Sequence, residues 1–140
     1  EINDPGNLGT IIRLCDWFGI KDIICSTNSV DCYNPKVIQA SMGSISRVNI
    51  SYMNLNELLT IKSYNTVAAD LKGKKLTNYK FTTNHIIFFG SESKGFSEKL
   101  YSKINDKITI ERYNNNVESL NLATSVAIIL SQLKTQITGK

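Results

Sequence analysis

At 140 residues, with 41% hydrophobic and 20% charged residues, the chain is long enough to bury a real core and too apolar for a disordered tail. A net charge of +4 and a pI near 9.0 lean toward polyanionic partners without demanding one. No apolar run approaches a membrane span, nothing reads as a signal peptide, and Cys15, Cys25 and Cys32 show neither CxxC spacing nor a paired framework, so a reduced cytoplasmic setting is expected.

The chain begins at Glu1, without Met, directly before a motif-like segment, and reads as part of a longer protein. Asp4-Pro5-Gly6 is turn chemistry, and Asn7 is expected to cap a helix over 8–18. Along that helix Leu8, Ile11, Ile12, Cys15 and Phe18 share one face, and Thr10, Arg13 and Trp17 share the other. An arginine on a polar face is usually only solvated. Arg13, however, sits near a helix N-terminus, where free N–H groups favour anions, and beside an exposed tryptophan.

Short apolar runs follow at Ile23–Cys25, Arg47–Ser51, Thr66–Ala69, Ile86–Phe89 and Ile108–Ile110. Helical stretches lie between them at 35–42, 55–61 and 97–104, and a last helix begins near 120. The segments Thr27–Asn34 and Lys72–Asn84 read as loops, with no internal repeat and no linker. This alternation predicts one α/β domain with a mainly parallel sheet flanked by helices. Ligands of such sheets sit at the carboxyl ends of the strands, so Ala69-Asp70, Gly90–Gly95 and the stretch after Ile110 are expected around one crevice.

The loop Gly90-Ser91-Glu92-Ser93-Lys94-Gly95 fits neither GxxxxGK[ST] nor GxGxxG. Glu92 stands where a phosphate loop needs room, and a carboxylate there repels pyrophosphate. It suits a backbone N–H, an amine, a ribose hydroxyl or a cation, and equally a plain cap on the next turn. Ser119 or Asn121 is expected to cap the last helix, whose residues Leu122–Leu133 are apolar nearly all round. A helix of that kind needs cover on several sides, and a partner subunit is a natural second cover.

Three stretches, in this order, resemble the SpoU (TrmH) family of RNA 2′-O-ribose methyltransferases in the SPOUT superfamily. The first is DPGNLGTIIRLCDWFGI, with Asn7, Gly9 and Arg13; the second is IIFFGSESKGFS, with Gly90, Glu92 and Gly95; the third is ITIERYNNNVESLNLATSVA, with Ser119, Leu120 and Asn121. The match spans nearly the whole chain, which reads as residues 1–140 of a catalytic domain whose N-terminal RNA-recognition domain lies outside it.

The resemblance implies a C-terminal deep trefoil knot holding S-adenosylmethionine, a homodimer through the first and last helices, and rRNA or tRNA as substrate, with no metal and no membrane. It implies cofactor contacts at Ala69, Gly90, Ser91, Gly95, Ile110, Arg112 and Leu120, and chemistry at Arg13, Asn7, Glu92, Ser119 and Asn121. In the third motif a typical member reads Ile-Pro-Met where this chain has Ile110-Glu111-Arg112, and a glycine shortly after is missing.

A solvated turn is the simpler reading of Lys72, Lys74, Lys75 and Lys80 with Tyr79 and Phe81, and RNA backbone contact the functional one. Residues 39–44 with Arg47 resemble a family stretch that shapes the site, and His85 is given no role. Two rival readings stay open: a catalytically silent SPOUT-fold RNA-binding or assembly protein, and a doubly wound nucleotide-binding module.

Overall fold

Pro5 occupies the first position of the first helix, where its missing N–H costs nothing, in a computed structural model that describes residues 1–61 and 63–138. Asp4, and not Asn7, is the cap: its carboxylate accepts from the Asn7 backbone N–H at 2.6 Å. Proline pre-sets the helical φ three residues earlier than capping by Asn7 would have allowed, so helix α1 spans Pro5–Trp17. The expected apolar face is the buried one. Leu8 and Ile12 are fully buried, Ile11 and Cys15 nearly so, while Thr10, Arg13 and Trp17 are exposed. Each such aliphatic side chain contributes about 1.5–3 kcal/mol on burial.

The described residues divide into two compact units, Glu1–Leu55 and Asn56–Lys140. In the first, α1 packs on helix α2 (Pro35–Ser41), capped by Asn34, and strands β1 (Asp22–Ser26) and β2 (Asn49–Met53) pair in parallel from Asp22↔Asn49 to Ser26↔Met53. Strand β2 starts two residues later than expected. A 3-10 turn at Ser44–Ser46 precedes it, and the Arg47 guanidinium is drawn to Asp16 Oδ2 at 2.7 Å. That pair holds the exposed Asp16 carboxyl below its ordinary range, chiefly through the arginine hydrogen bond. Tyr52 clips the 30–32 loop by donating to Val30 O at 2.8 Å and accepting from Cys32 N at 2.7 Å.

A one-turn helix, α3 (Leu55–Leu58), spans the boundary between the units. In the second unit, β3 (Asn65–Lys75) lies between β4 (His85–Phe89) and β5 (Asp106–Thr109), and both pairings are parallel. The expected mainly parallel sheet is therefore realised as two separate parallel sheets of two and three strands. Helices α4 (Glu98–Tyr101) and α5 (Leu122–Thr138) complete the unit.

The segment Lys72–Asn84, read as a loop, is largely built structure. Strand β3 continues through Lys75, a 3-10 turn covers Leu76–Asn78, and Tyr79 and Phe81 are buried. The lysines hide this from composition, because their side chains stay exposed while the backbone pairs. Ile108 pairs with both Ala69 and Lys74, and between these Gly73 lies against β5, where a Cβ would sit 2.4 Å from Ile108 N. No other residue type fits that approach.

Gln136 of α5 locks the following segment, accepting from Phe81 N and donating to Tyr79 O, each at 2.9 Å. Tyr79 donates to Asp106 Oδ2 at 3.0 Å and bonds His85 Nε2 at 3.2 Å, at the amino ends of β4 and β5. His85 thus has a structural place, away from the strands' carboxyl ends.

Candidate active site

Ala69 of β3 stands level with Phe89 of β4 and Ile108 of β5, so the register break in β3 after Ala69 and the loops after β4 and β5 begin side by side. The loop after β4 closes on itself. Ser91 N donates to Gly95 O at 2.9 Å and Gly95 N to Ser91 O at 2.8 Å. Gly95 sits at φ +62°, and a Cβ on Gly90 would come within 2.9 Å of the Gly95 carbonyl carbon. Both glycines are therefore demanded by the ring, which lifts Glu92, Ser93 and Lys94 into the open.

Glu92 caps a helix, but not the adjoining one. Its Oε1 accepts from Leu122 N at 3.3 Å, the first N–H of α5, whereas α4 is capped by Ser97. A carboxylate there meets the positive end of the helix. Asn121 completes the cap by accepting from Thr124 N at 3.2 Å. Of the two expected caps of α5, Asn121 is the one, and Ser119 lies exposed two residues upstream.

The third loop, after β5, has no helix or strand between Ile110 and Asn121. It is held by its own side chains: Arg112 Nη1 donates to Val117 O at 3.2 Å, and Asn116 N donates to Asn114 Oδ1 at 2.9 Å. Thr77 Oγ1 donates to Glu111 Oε1. That hydrogen bond, with Lys75 close by, holds the exposed Glu111 carboxyl below its ordinary range. Tyr113 and Leu120 are exposed.

The second unit thus carries Gly90, Ser91, Glu92 and Gly95 on one loop and Ile110, Arg112, Ser119, Leu120 and Asn121 on the next, with Ala69 in β3 level with Phe89 and Ile108. Asn7 and Arg13 belong to the first unit, Asn7 in the opening turn of α1 and Arg13 on its exposed face. The buried Tyr79 and Phe81 are removed from the RNA-contact reading of the lysine segment, because rings inside the core stack on no base. Sequence reasoning missed Thr77 and Gln136, whose partners are remote in sequence. A glycine among lysines was the one available hint of the close approach at Gly73.

The model of the SpoU rRNA Methylase family matches residues 1–131. The chain belongs to this family. Among SpoU relatives, it is 27% identical over 139 residues to the 23S rRNA (guanosine(2553)-2′-O)-methyltransferase RlmP of Bacillus subtilis, covering 95% of this chain and 55% of that protein. A TrmH-family RNA methyltransferase structure from Porphyromonas gingivalis superposes with a TM-score of 0.87 at 38% identity, over 94% of this chain and 55% of that one. An AdoMet-bound rRNA methyltransferase from Sinorhizobium meliloti superposes at 0.86 with 27% identity, over 96% of this chain and 53% of that one. The SpoU chain therefore spans about half the length of these relatives. Among its described residues no helix is long and apolar enough to cross a membrane, and no group of three or more His, Cys, Asp or Glu is gathered to hold a metal.

Proposed function

We propose that this SpoU chain is the catalytic domain of an RNA (ribose-2′-O)-methyltransferase that moves a methyl group from S-adenosylmethionine to a 2′-hydroxyl of rRNA or tRNA. The observation that carries the reading is the Glu92–Leu122 bond, which draws the second and third motifs together at the carboxyl ends of the strands. The donor set suits a sulfonium nucleoside and not a polyphosphate: a carboxylate, ring-closing backbone groups, and apolar Ile110 and exposed Leu120 for a purine. When bound, the cofactor supplies an electrophilic methyl on a leaving group that is already activated.

What remains for the protein is alignment of the ribose oxygen and management of one proton. Arg13 binds the phosphate beside the target ribose and stabilises the developing 2′-alkoxide. A guanidinium holds its proton tightly and is a poor base, so the proton leaves to phosphate or water. Asn7 orients the arginine or the phosphate. Glu92 locks the glycine ring against α5, and Ser119 and Asn121 close the pocket. Backbone at Ala69, Gly90, Ser91, Gly95, Ile110, Arg112 and Leu120 lines the cofactor.

The same reading includes a C-terminal trefoil knot. It also includes a homodimer through α1 and α5, supported by exposed Trp17 on the first helix and exposed Ile128 on the last. Arg13 then serves the partner's cofactor. A reduced cytoplasmic setting is supported by three buried, unpaired cysteines.

One observation favours a second reading, a silent RNA-binding or assembly protein: Glu111-Arg112 stands in the third motif, and Arg112 is spent on its own loop. Calorimetry with S-adenosylmethionine, followed by transfer of labelled methyl to rRNA and tRNA, decides between them. Binding and transfer support the enzyme; RNA binding without cofactor binding supports the silent protein.

A further inference from the structure

We propose that Glu111 and Thr77 form a side-chain tether that positions the third loop for the methyl donor, an inference that rests on the cofactor reading above. The loop from Ile110 to Asn121 lacks regular structure, and the bonds of Arg112 to Val117 and of Asn114 to Asn116 fasten it only to itself. Other bonds fasten its ends elsewhere. At the α5 end Glu92 reaches Leu122 N, and at the β5 end Glu111 takes the hydroxyl of Thr77, 34 residues away.

The Thr77 end is anchored. Its 3-10 turn begins at buried Leu76, closes through Tyr79 N on Leu76 O, and leads into the segment that Gln136 holds from α5. The segment carrying Ile110 and Leu120 is thus pinned at its α5 end by the Glu92 carboxylate and at its β5 end by its own Glu111 on the Thr77 hydroxyl. Released at Glu111, it gains conformations that cofactor binding must then remove, and affinity falls by that ordering cost. Glu111 touches no reacting atom in this scheme and is a positioning residue. Its depressed carboxyl keeps the acceptor charged through neutral and mildly acidic pH.

The test is calorimetry of the 140-residue chain with S-adenosylmethionine. Thr77→Val and Glu111→Ala are each expected to weaken binding about three- to tenfold, the worth of one hydrogen bond. The double variant is expected to bind no more weakly than either single one, because both remove the same bond. Thr77→Ser keeps the hydroxyl, Glu111→Gln keeps an acceptor oxygen, and both are expected to bind within about twofold of the parent. A general packing role would not give rescue by these two together with non-additivity. Parent-like binding by Thr77→Val and Glu111→Ala, or losses that add in the double variant, overturns the tether. Failure of the parent chain to bind S-adenosylmethionine at all overturns the cofactor reading, and the tether with it.

Discussion

The two units of this chain carry opposite burdens. Residues 1–55 hold four basic and five acidic side chains, and residues 56–140 hold twelve and seven. The basic lean of the whole sequence is therefore a property of the second unit alone. All three cysteines lie in the first, as does Arg13. The loops around the strand ends sit on the charged unit, which suits attraction of a polyanion. The guanidinium proposed for chemistry sits on a nearly neutral one, where few other cations compete for the target phosphate. Long-range attraction and local chemistry place different demands on charge, and here they fall on different parts of the chain.

The largest effect expected from this division is at Arg13. Arg13→Ala should lower methyl transfer by about a hundredfold or more while leaving S-adenosylmethionine affinity within about twofold, read by transfer kinetics and calorimetry. Arg13→Lys should restore little, since a point charge cannot bridge phosphate and alkoxide as a planar fork does. Loss of cofactor affinity in step with activity would break the assignment of Arg13 to chemistry.

Next in size is a pair of core truncations. Ile12→Ala in the first unit and Ile108→Ala in the second should each cost about 2–5 kcal/mol, since both side chains are almost wholly buried. Burial, with a neighbouring thiol adding to it, pushes Cys15 up to about 12 and Cys25 up to about 11, so both resist alkylation while the first unit is closed. If the units open separately, Ile12→Ala accelerates thiol labelling and Ile108→Ala does not. Equal acceleration by both would make the two units one cooperative body.

A smaller effect belongs to the cap of α5. Asn121→Ala should cost about 1 kcal/mol and speed amide exchange in the first turn of that helix, leaving α1 unchanged. The smallest belongs to Asp16, whose partner Arg47 is well exposed. A carboxyl with a depressed folded pKa adds stability above its unfolded value, near 3.8, and loses that contribution as pH falls through the folded one. Asp16→Asn should slightly lower the melting temperature at neutral pH, less so in high salt, and flatten the acid limb of the stability curve.

Much of the architecture was legible because it is local. Leu8, Ile11, Ile12 and Cys15 recur with helical period and are buried, and the runs at 23–25, 66–69, 86–89 and 108–110 lie within or overlap strands. The candidate residues stood out through the three motifs, and because Glu92 places a carboxylate where a phosphate loop has none. Misreadings came where composition and structure diverge. Lysines in β3 made a paired strand resemble a loop, and Asn7 looked like a cap because Asp4 seemed to belong to the turn. The break between the units falls within α3, with no glycine or proline cluster to mark it.

By itself the sequence determined the helix and strand types, the apolar faces, the three motifs and the family they belong to. These depend on side chains a few positions apart, where periodicity and capping act. Only the tertiary structure decided that Glu92 crosses 30 residues to cap α5, that Thr77 crosses 34 to hold Glu111, that β3 pairs with β5 twice, and that Tyr79 and Phe81 turn inward. Such contacts form when packing elsewhere has already met the entropy cost of closing long loops, and no neighbouring residue records that closure.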